Sequence, residues 1–301
     1  MTIIKTVALA GANGSVGKPM LEELIHQGYT VTVLARSEST STYPSTVKTV
    51  KVDFGNKSQL VSALRNQDAF ISTIGSEGGQ DAILLSESVI EAGVKRFIPS
   101  EFGSDKTNAE VCKLPFYAPK LAAQTRLEEL TASSDCQTTW THVYCNAFVD
   151  YCLRVPLIAD LKQKKITLWD GGDVKYTATP TKAVAKATVN ILKNLEATKN
   201  RAVKISSITL TQKRVLLAAQ KALGSEGWTV TDKTTESAVK ESYAALKAEP
   251  NNVMVWIMGF LSFAIFAQEA GGNFSNSPDN KLLETPQMDE DELVEIIRQN
   301  A

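Results

Sequence analysis

The sequence predicts an α/β protein: a doubly wound parallel sheet followed by a smaller C-terminal α/β lobe. Three observations predict it. Apolar, β-branched runs alternate with helical patterns over roughly the first 150 residues, as βαβ units require. A glycine turn, Gly11-Ala12-Asn13-Gly14-Ser15-Val16-Gly17, joins the first apolar run to the first helical pattern. After about residue 155 the alternation loosens with no repeat or low-complexity linker, which marks a second lobe packed on the first.

Taken in order, Ile3–Ala10 reads as the first strand and Val16–Gln27 as an amphipathic helix. Further strands are expected at Thr30–Arg36, Val47–Val52, Ala69–Thr73, Arg96–Pro99 and Thr139–Cys145. Helices are expected at Lys57–Leu64, Asp81–Ala92 and Lys120–Ser133. In AILLSESVIEAGVKRF a helix stops at Gly93 and a buried strand follows directly. The division is 1–155 for the first domain and 156–301 for the second lobe. In that lobe Lys162–Lys165 and Asp170–Asp173 are turn-like, and Pro180–Leu192, Thr211–Leu223 and Ser237–Lys247 read as helices. Val253–Ala267 is the most apolar segment, shorter than the roughly 20 residues of a membrane-spanning helix. It reads as a core or pocket-lining helix, with Trp256 as a candidate for the pocket wall. The tail MDEDELVEIIRQN opens with acids and carries Arg298 near its end, which suits a helix dipole.

A net charge of −1 with 43 % hydrophobic and 22 % charged residues gives no footprint for nucleic acid or an anionic membrane. The N-terminal run lacks the length and cleavage site of a secretory signal. Four cysteines without paired spacing read as free thiols in a reducing, cytoplasmic compartment. With two histidines, His26 and His142, a histidine triad or a multi-histidine metal site is not expected.

The glycine turn lies between a strand and a helix, where a dinucleotide pyrophosphate meets free helix amides. Its spacing is G-x-x-G-x-x-G, so Gly11, Asn13, Gly14, Ser15, Val16 and Gly17 are candidate cofactor contacts, and a plain structural turn is the alternative. At the end of the second strand stand Arg36 and Ser37, where an NAD-binding chain would carry an acid. A guanidinium suits a 2′-phosphate, so NADP or NADPH is the expected cofactor; a solvated strand-end arginine is the alternative. Asp53 and Phe54 follow the third strand, where adenine would rest, although Asp53 equally reads as a helix cap. Thr73, Ile74 and Gly75 follow the fourth strand, at the edge where an open α/β sheet binds ligand.

Residues 94–103, VKRFIPSEFG, complete a pattern. With GANGSVG, Arg36 and Lys120, this stretch resembles the isoflavone reductase-like branch of the atypical short-chain dehydrogenases. That branch holds phenylcoumaran benzylic ether, pinoresinol–lariciresinol and isoflavone reductases, with fungal relatives grouped as NmrA-like. The resemblance is good over residues 4–155 and looser beyond. It implies a Rossmann-like domain, NADPH, and a lysine general acid/base after the SEFG loop, at the place of Lys120 in KLPFYAPKLAAQ. It implies that Glu101 and Phe102 of that loop lie at the cofactor, and that Asn146 and Phe148 flank the nicotinamide and substrate. Thr179-Pro180-Thr181 departs from the family, which carries acidic residues before this helix.

A free lysine titrates near pH 10.4, so a catalytic lysine needs burial or a neighbouring cation, such as oxidised nicotinamide, to lower its pKa. So tuned, Lys120 would exchange a proton with a phenol or a developing oxyanion; a solvated helix-start lysine is the alternative. Tyr117 and Lys120 spell YxxK, one residue short of the YxxxK pair of typical short-chain enzymes, and Pro119 breaks a helix through Tyr117. Tyr243 and Lys247 have that spacing but lie in the second lobe. The expected activity is hydride transfer from NADPH to a small apolar, aromatic substrate by a monomer or homodimer: a benzylic ether, an aryl-conjugated carbonyl or an enone. The alternative is a non-catalytic NADP sensor that acts through a protein partner.

Overall fold

The first strand, β1 (Thr6–Ala10), buries four of its five residues, as a central strand covered on both faces must. In the computed structural model of the protein, which describes residues 3–75 and 79–301, β1 lies in the interior of a seven-stranded sheet. Its companions are β2 (Thr30–Arg36), β3 (Lys48–Val52), β4 (Ala69–Ser72), β5 (Arg96–Ile98), β6 (Thr139–Tyr144) and a later strand, β9 (Arg201–Lys204). The order is β3-β2-β1-β4-β5-β6-β9 and every pairing is parallel. Strand order reverses between β1 and β4, the switch point at which doubly wound sheets open a ligand crevice.

Successive side chains of a strand point to opposite faces, and the two cores follow that period. Val7 and Leu9 pack with Ile71, Ile98 and Val143 against α1 (Gly17–His26) and the later helix α7 (Thr181–Ile191). Ala8 and Ala10 pack with Leu34, Phe70 and Phe97 against α2 (Lys57–Leu64), α3 (Gly79–Glu91) and Leu127 of α5 (Ala118–Thr131). Between α3 and α5 lies a short helix, α4 (Ala109–Cys112). Gly93 turns the chain into β5 with φ +74°.

The expected strands and helices of the first 150 residues are present, with ends that shift by a few residues. β1 begins at Thr6 instead of Ile3, and α5 begins at Ala118 instead of Lys120. Pro119 is tolerated there because a first helical turn has no intrahelical partner for the missing N–H.

The second lobe contains α6 (Val149–Arg154), β7 (Lys165–Trp169), β8 (Tyr176–Ala178), β10 (Ile208–Leu210), α8 (Gln212–Leu223) and β11 (Thr229–Lys233). It ends with α9 (Thr235–Ala248), α10 (Val253–Phe266), α11 (Asp279–Leu282) and α12 (Glu290–Asn300). β8 pairs antiparallel with β10, and β7 pairs parallel with β11. Between these pieces α7 and β9 return to the first layer, so the main sheet is not contained in residues 1–155. The acid missing before α7 comes from elsewhere: the Asp150 carboxylate on α6 accepts the Thr181 amide at 3.1 Å and its hydroxyl at 2.6 Å. Among the described residues no helix is long and apolar enough to cross a membrane. α10 packs instead on α9, closely enough that a Cβ on Gly259 would overlap the Ala238 carbonyl. Trp256 is buried in that cluster beside Phe260, so it is core and not an open pocket wall.

One buried cation ties β5, β6 and the α7–β9 connection. Arg96, 2 % exposed, donates to Thr139 Oγ1 at 2.9 Å, Thr141 Oγ1 and Thr198 Oγ1 at 2.8 Å, and the Leu195 carbonyl at 2.6 Å. Burial lowers its pKa to about 10, which leaves it charged at neutral pH. Arg96→Met removes all four bonds, two of them to the buried Thr141 and Thr198. The expected loss is roughly 3 kcal/mol in urea unfolding, and an unchanged midpoint would show the clamp to be dispensable.

Candidate active site

The glycine turn is held by close backbone approach. Gly11 has φ +81°, and a Cβ on it would fall 2.7 Å from the Thr73 hydroxyl oxygen. A Cβ on Gly17 would overlap the Gly11 carbonyl oxygen. Gly14 N donates to the Gly11 carbonyl at 2.9 Å, and Thr73 donates its amide (2.9 Å) and hydroxyl (2.8 Å) to the Ala10 carbonyl. The ends of β1 and β4 are thus fastened together at the switch point.

A groove of about 760 Å³ opens there. Of the expected cofactor contacts, Gly11, Asn13, Gly14, Arg36, Phe54, Thr73, Ile74 and Gly75 line it. Glu38, Ser39, Thr40, Ser41 and Tyr43 continue the wall beyond β2, and Asn13 Nδ2 donates to Ser41 Oγ at 2.6 Å. Ser15 is exposed, Val16 is half-buried against the core, and Gly17 is a buried spacer. Ser37 and Asp53 are exposed and lie outside the lining. Asp53 is not the α2 cap either: its Oδ1 accepts the Gly55 amide at 2.9 Å, whereas Asn56 Oδ1 accepts Gln59 N at 3.2 Å. The cap moves because Asn56, not Asp53, stands immediately before the first helical residue.

Ile74 and Gly75 also border a second, smaller cavity of about 50 Å³ between α3, α5 and the ends of β4, β5 and β6. Lys120 lies there, half-buried in the first turn of α5, and its Nζ donates to the Ser100 carbonyl at 2.5 Å. Burial disfavours the ammonium and lowers the Lys120 pKa to about 8; the Glu101 carboxylate opposes the fall and the Lys106 ammonium adds to it. The rest of the cavity is apolar (Leu85, Phe97, Leu127) except for Glu101, Gln124, His142 and a few serines. Gln124 Nε2 donates to the Tyr144 hydroxyl at 3.0 Å, whereas His142 Nε2 is buried without a partner.

The loop after β5 is more constrained than its sequence reveals. Glu101 is buried, and its Oε2 pairs with Lys106 Nζ at 3.0 Å. Asp105 pairs with Lys204 of β9, and Gly103 O accepts the amides of Cys145 (3.0 Å) and Asn146 (2.9 Å). Phe102 is half-buried against the first core. Asn146 has φ +51°, and its carboxamide donates to the Thr177 and Gly272 carbonyls at 3.1 and 3.0 Å. That side chain clamps the second lobe; Phe148 packs where the two cores meet. Tyr117 ends a 3₁₀ turn and is buried, as is the YxxK alternative with it, while Tyr243 is exposed on α9 against Phe260. Sequence reasoning missed Lys106, Gln124 and the placement of His142. Nothing in GSDKTN separates a buried lysine from a solvated one, although a lone histidine within the apolar run TWTHVY signals burial.

A doubly wound sheet with a glycine turn at its switch point defines the Rossmann-like class. Within it, the chain belongs to the NmrA-like family, which its residues 4–255 match. The oxidoreductase aprR of Aspergillus flavus is 30 % identical over 297 residues, 97 % of this chain and 98 % of that protein. The oxidoreductase poxI of Penicillium oxalicum is 27 % identical over 241 residues, 79 % of this chain and 76 % of its own. Among solved structures, the leucoanthocyanidin reductase of Vitis vinifera with NADPH superposes with a TM-score of 0.77 at 19 % identity, covering 97 % of this chain and 99 % of the other.

Burial drops the His142 pKa to about 4, so the ring stays neutral in the fold while the unfolded chain protonates near 6.5. The unfolded state therefore binds more protons between those values. The stability contributed by this site is complete above pH 6.5 and is lost as pH falls toward 4, by up to roughly 3 kcal/mol. His142→Leu should flatten the pH dependence of the urea midpoint in that window; an unchanged slope would place the acid sensitivity elsewhere.

Proposed function

We propose that the chain is an NADPH-dependent reductase of a small, apolar, aromatic substrate, with Lys120 as its proton carrier. The single observation that carries this reading is the Lys120 amine, half-buried beside the switch-point groove with its pKa lowered to about 8. The groove supports a dinucleotide on its own geometry: Gly14 leaves room for close backbone approach, the α1 N-terminus presents amides, and Arg36 borders the far end. Gly11, Asn13 and Gly14 would hold the pyrophosphate, Phe54 would face the adenine, and Arg36 would meet the 2′-phosphate. Thr73, Ile74 and Gly75 would border the nicotinamide. NADPH supplies the hydride when bound.

Lys120 then has one chemical task. A lysine with a pKa near 8 is largely protonated at pH 7 yet gives up its proton readily, so it can protonate a developing alkoxide or enolate on the substrate. The Ser100 carbonyl fixes the amine by accepting one of its three N–H groups, which leaves two for the substrate oxygen. Solved relatives by fold include a leucoanthocyanidin reductase ternary complex and a protein with NADP+ and (+)-pinoresinol, which supports an aromatic substrate here. The Asn146 carboxamide nitrogen serves two backbone carbonyls, so a contact from this side chain to nicotinamide or substrate would fall to its Oδ1, which is buried without a partner.

Two measurements test this. Lys120→Met should retain NADPH affinity within about threefold yet lose at least a hundredfold in turnover on aryl carbonyls, enones or benzylic ethers, the scale of a lost general acid. The wild-type kcat/KM for reduction should fall as pH rises through about 8, where Lys120 loses its proton. A profile that rises there would make Lys120 a base, and equal turnover in the variant would remove it from the chemistry. In the second measurement, Arg36→Ser should weaken NADPH at least tenfold, about 1.4 kcal/mol, and leave NADH affinity unchanged. Equal weakening of both cofactors would place Arg36 away from the 2′-phosphate.

A further inference from the structure

Two lysines grip consecutive carbonyls of one loop. Lys120 donates to Ser100 O at 2.5 Å, and Lys106 donates to Glu101 O at 3.0 Å and to Ser104 O at 3.3 Å. Lys106 also pairs with the Glu101 carboxylate at 3.0 Å, with the two side chains only 1 % and 5 % exposed. Its ammonium sits 5.2 Å from the Tyr117 ring centre and 4.7 Å from that of Tyr144. A buried ion pair of this kind costs several kcal/mol of desolvation per ion, and apolar residues would fill the same volume more favourably. Its presence beside the cavity that holds Lys120 calls for a reason other than stability.

We propose that the Glu101–Lys106 pair is a positioning element that sets the protonation state of Lys120, by keeping a carboxylate in the wall of the cavity that holds that amine while cancelling most of its charge. This rests on the reading of Lys120 as the proton carrier. An unpaired carboxylate at Glu101 would favour the Lys120 ammonium, and a lone cation at Lys106 would disfavour it. The pair together leaves Lys120 poised between the two.

The other titratable groups facing this site are uncharged at pH 7 or paired with an opposite charge. From β6, burial holds the His142 ring neutral, raises the Cys145 thiol to about 12 and raises the Tyr144 hydroxyl further. From the turn before α5, the Tyr117 hydroxyl is pushed up to about 12. Asp105, in the same loop, is neutralised by Lys204. Among the described residues, Glu101 and Lys106 are therefore the full charges that act on Lys120.

The test reads Lys120 directly, by the carbon-13 shift of its Cε across pH in [ε-13C]lysine-labelled full-length protein, with Lys120→Arg to assign the signal. Lys106→Met should raise the Lys120 midpoint, and Glu101→Gln should lower it, each by about one unit or more. The double variant Glu101→Gln/Lys106→Met removes both charges at nearly constant volume and should return the midpoint close to wild type. Lys106→Arg should preserve it. If a single variant does not fold, the double variant and Lys106→Arg still decide the matter against wild type and the surviving single. One midpoint shared by all folded variants would reduce the pair to a structural role and overturn the proposal. Because the readout is titration and not turnover, loss of the tuning is separable from failure of Lys120 as a catalytic residue. Shifted midpoints with unaltered pH–rate profiles would leave the pair in place and remove Lys120 from the chemistry.

Discussion

The contact on which the rest of the molecule depends is the close backbone approach at Gly11, Gly17 and Thr73. α1 can lie against the end of β1 only because Gly17 has no Cβ to collide with the Gly11 carbonyl. Gly11 in turn touches Thr73, whose amide and hydroxyl both return to the Ala10 carbonyl. One methyl group at either glycine would separate α1 from the sheet or β1 from β4. The groove exists because these two strands stay together while the helices that follow them leave on opposite faces.

A second organising element is the loop from Ser100 to Asn108. Short loops usually carry their polar groups in water, but this one turns several inward and satisfies them. Glu101 and Lys106 neutralise each other, Asp105 meets Lys204, and Asn108 caps α4 through Glu110 N at 2.8 Å while its Nδ2 reaches the Glu269 carbonyl at 2.9 Å. The loop thereby joins β5, β9 and the second lobe, and presents the Ser100 carbonyl to Lys120. Rigidity there bears on the Lys120 amine. An amine whose partner moves would spend time solvated, and its pKa would return toward that of free lysine.

The second lobe is attached by polar contacts at sharp backbone turns. Asn146 adopts the left-handed conformation that an asparagine tolerates better than most residues, and its carboxamide spans Thr177 and Gly272. Gly272 also accepts the Thr177 amide and hydroxyl, so β8 and the segment after α10 meet at one point. Asp150 supplies the negative charge at the start of α7, where the helix dipole favours it.

The sequence by itself determined the doubly wound class, the glycine turn between β1 and α1, and the place of Lys120 at the start of α5. The first two rest on local signals, β-branched apolar runs and glycines between a strand and a helix, and Lys120 was marked by the family resemblance of the stretch around it. Most helix and strand boundaries in the first 150 residues followed from the same signals. The strands of the second lobe did not, because β7 and β11 are short, β11 is largely polar and exposed, and both take their form from pairing with each other. The return of α7 and β9 to the main sheet is likewise a matter of long-range contact. Tertiary structure alone decided that Asn146 would clamp backbone, that Trp256 would be core, and that Lys106 would be buried against Glu101. A side chain's charge is written in the sequence, but its desolvation and its partner are set by residues distant along the chain, and these govern what the charge can do.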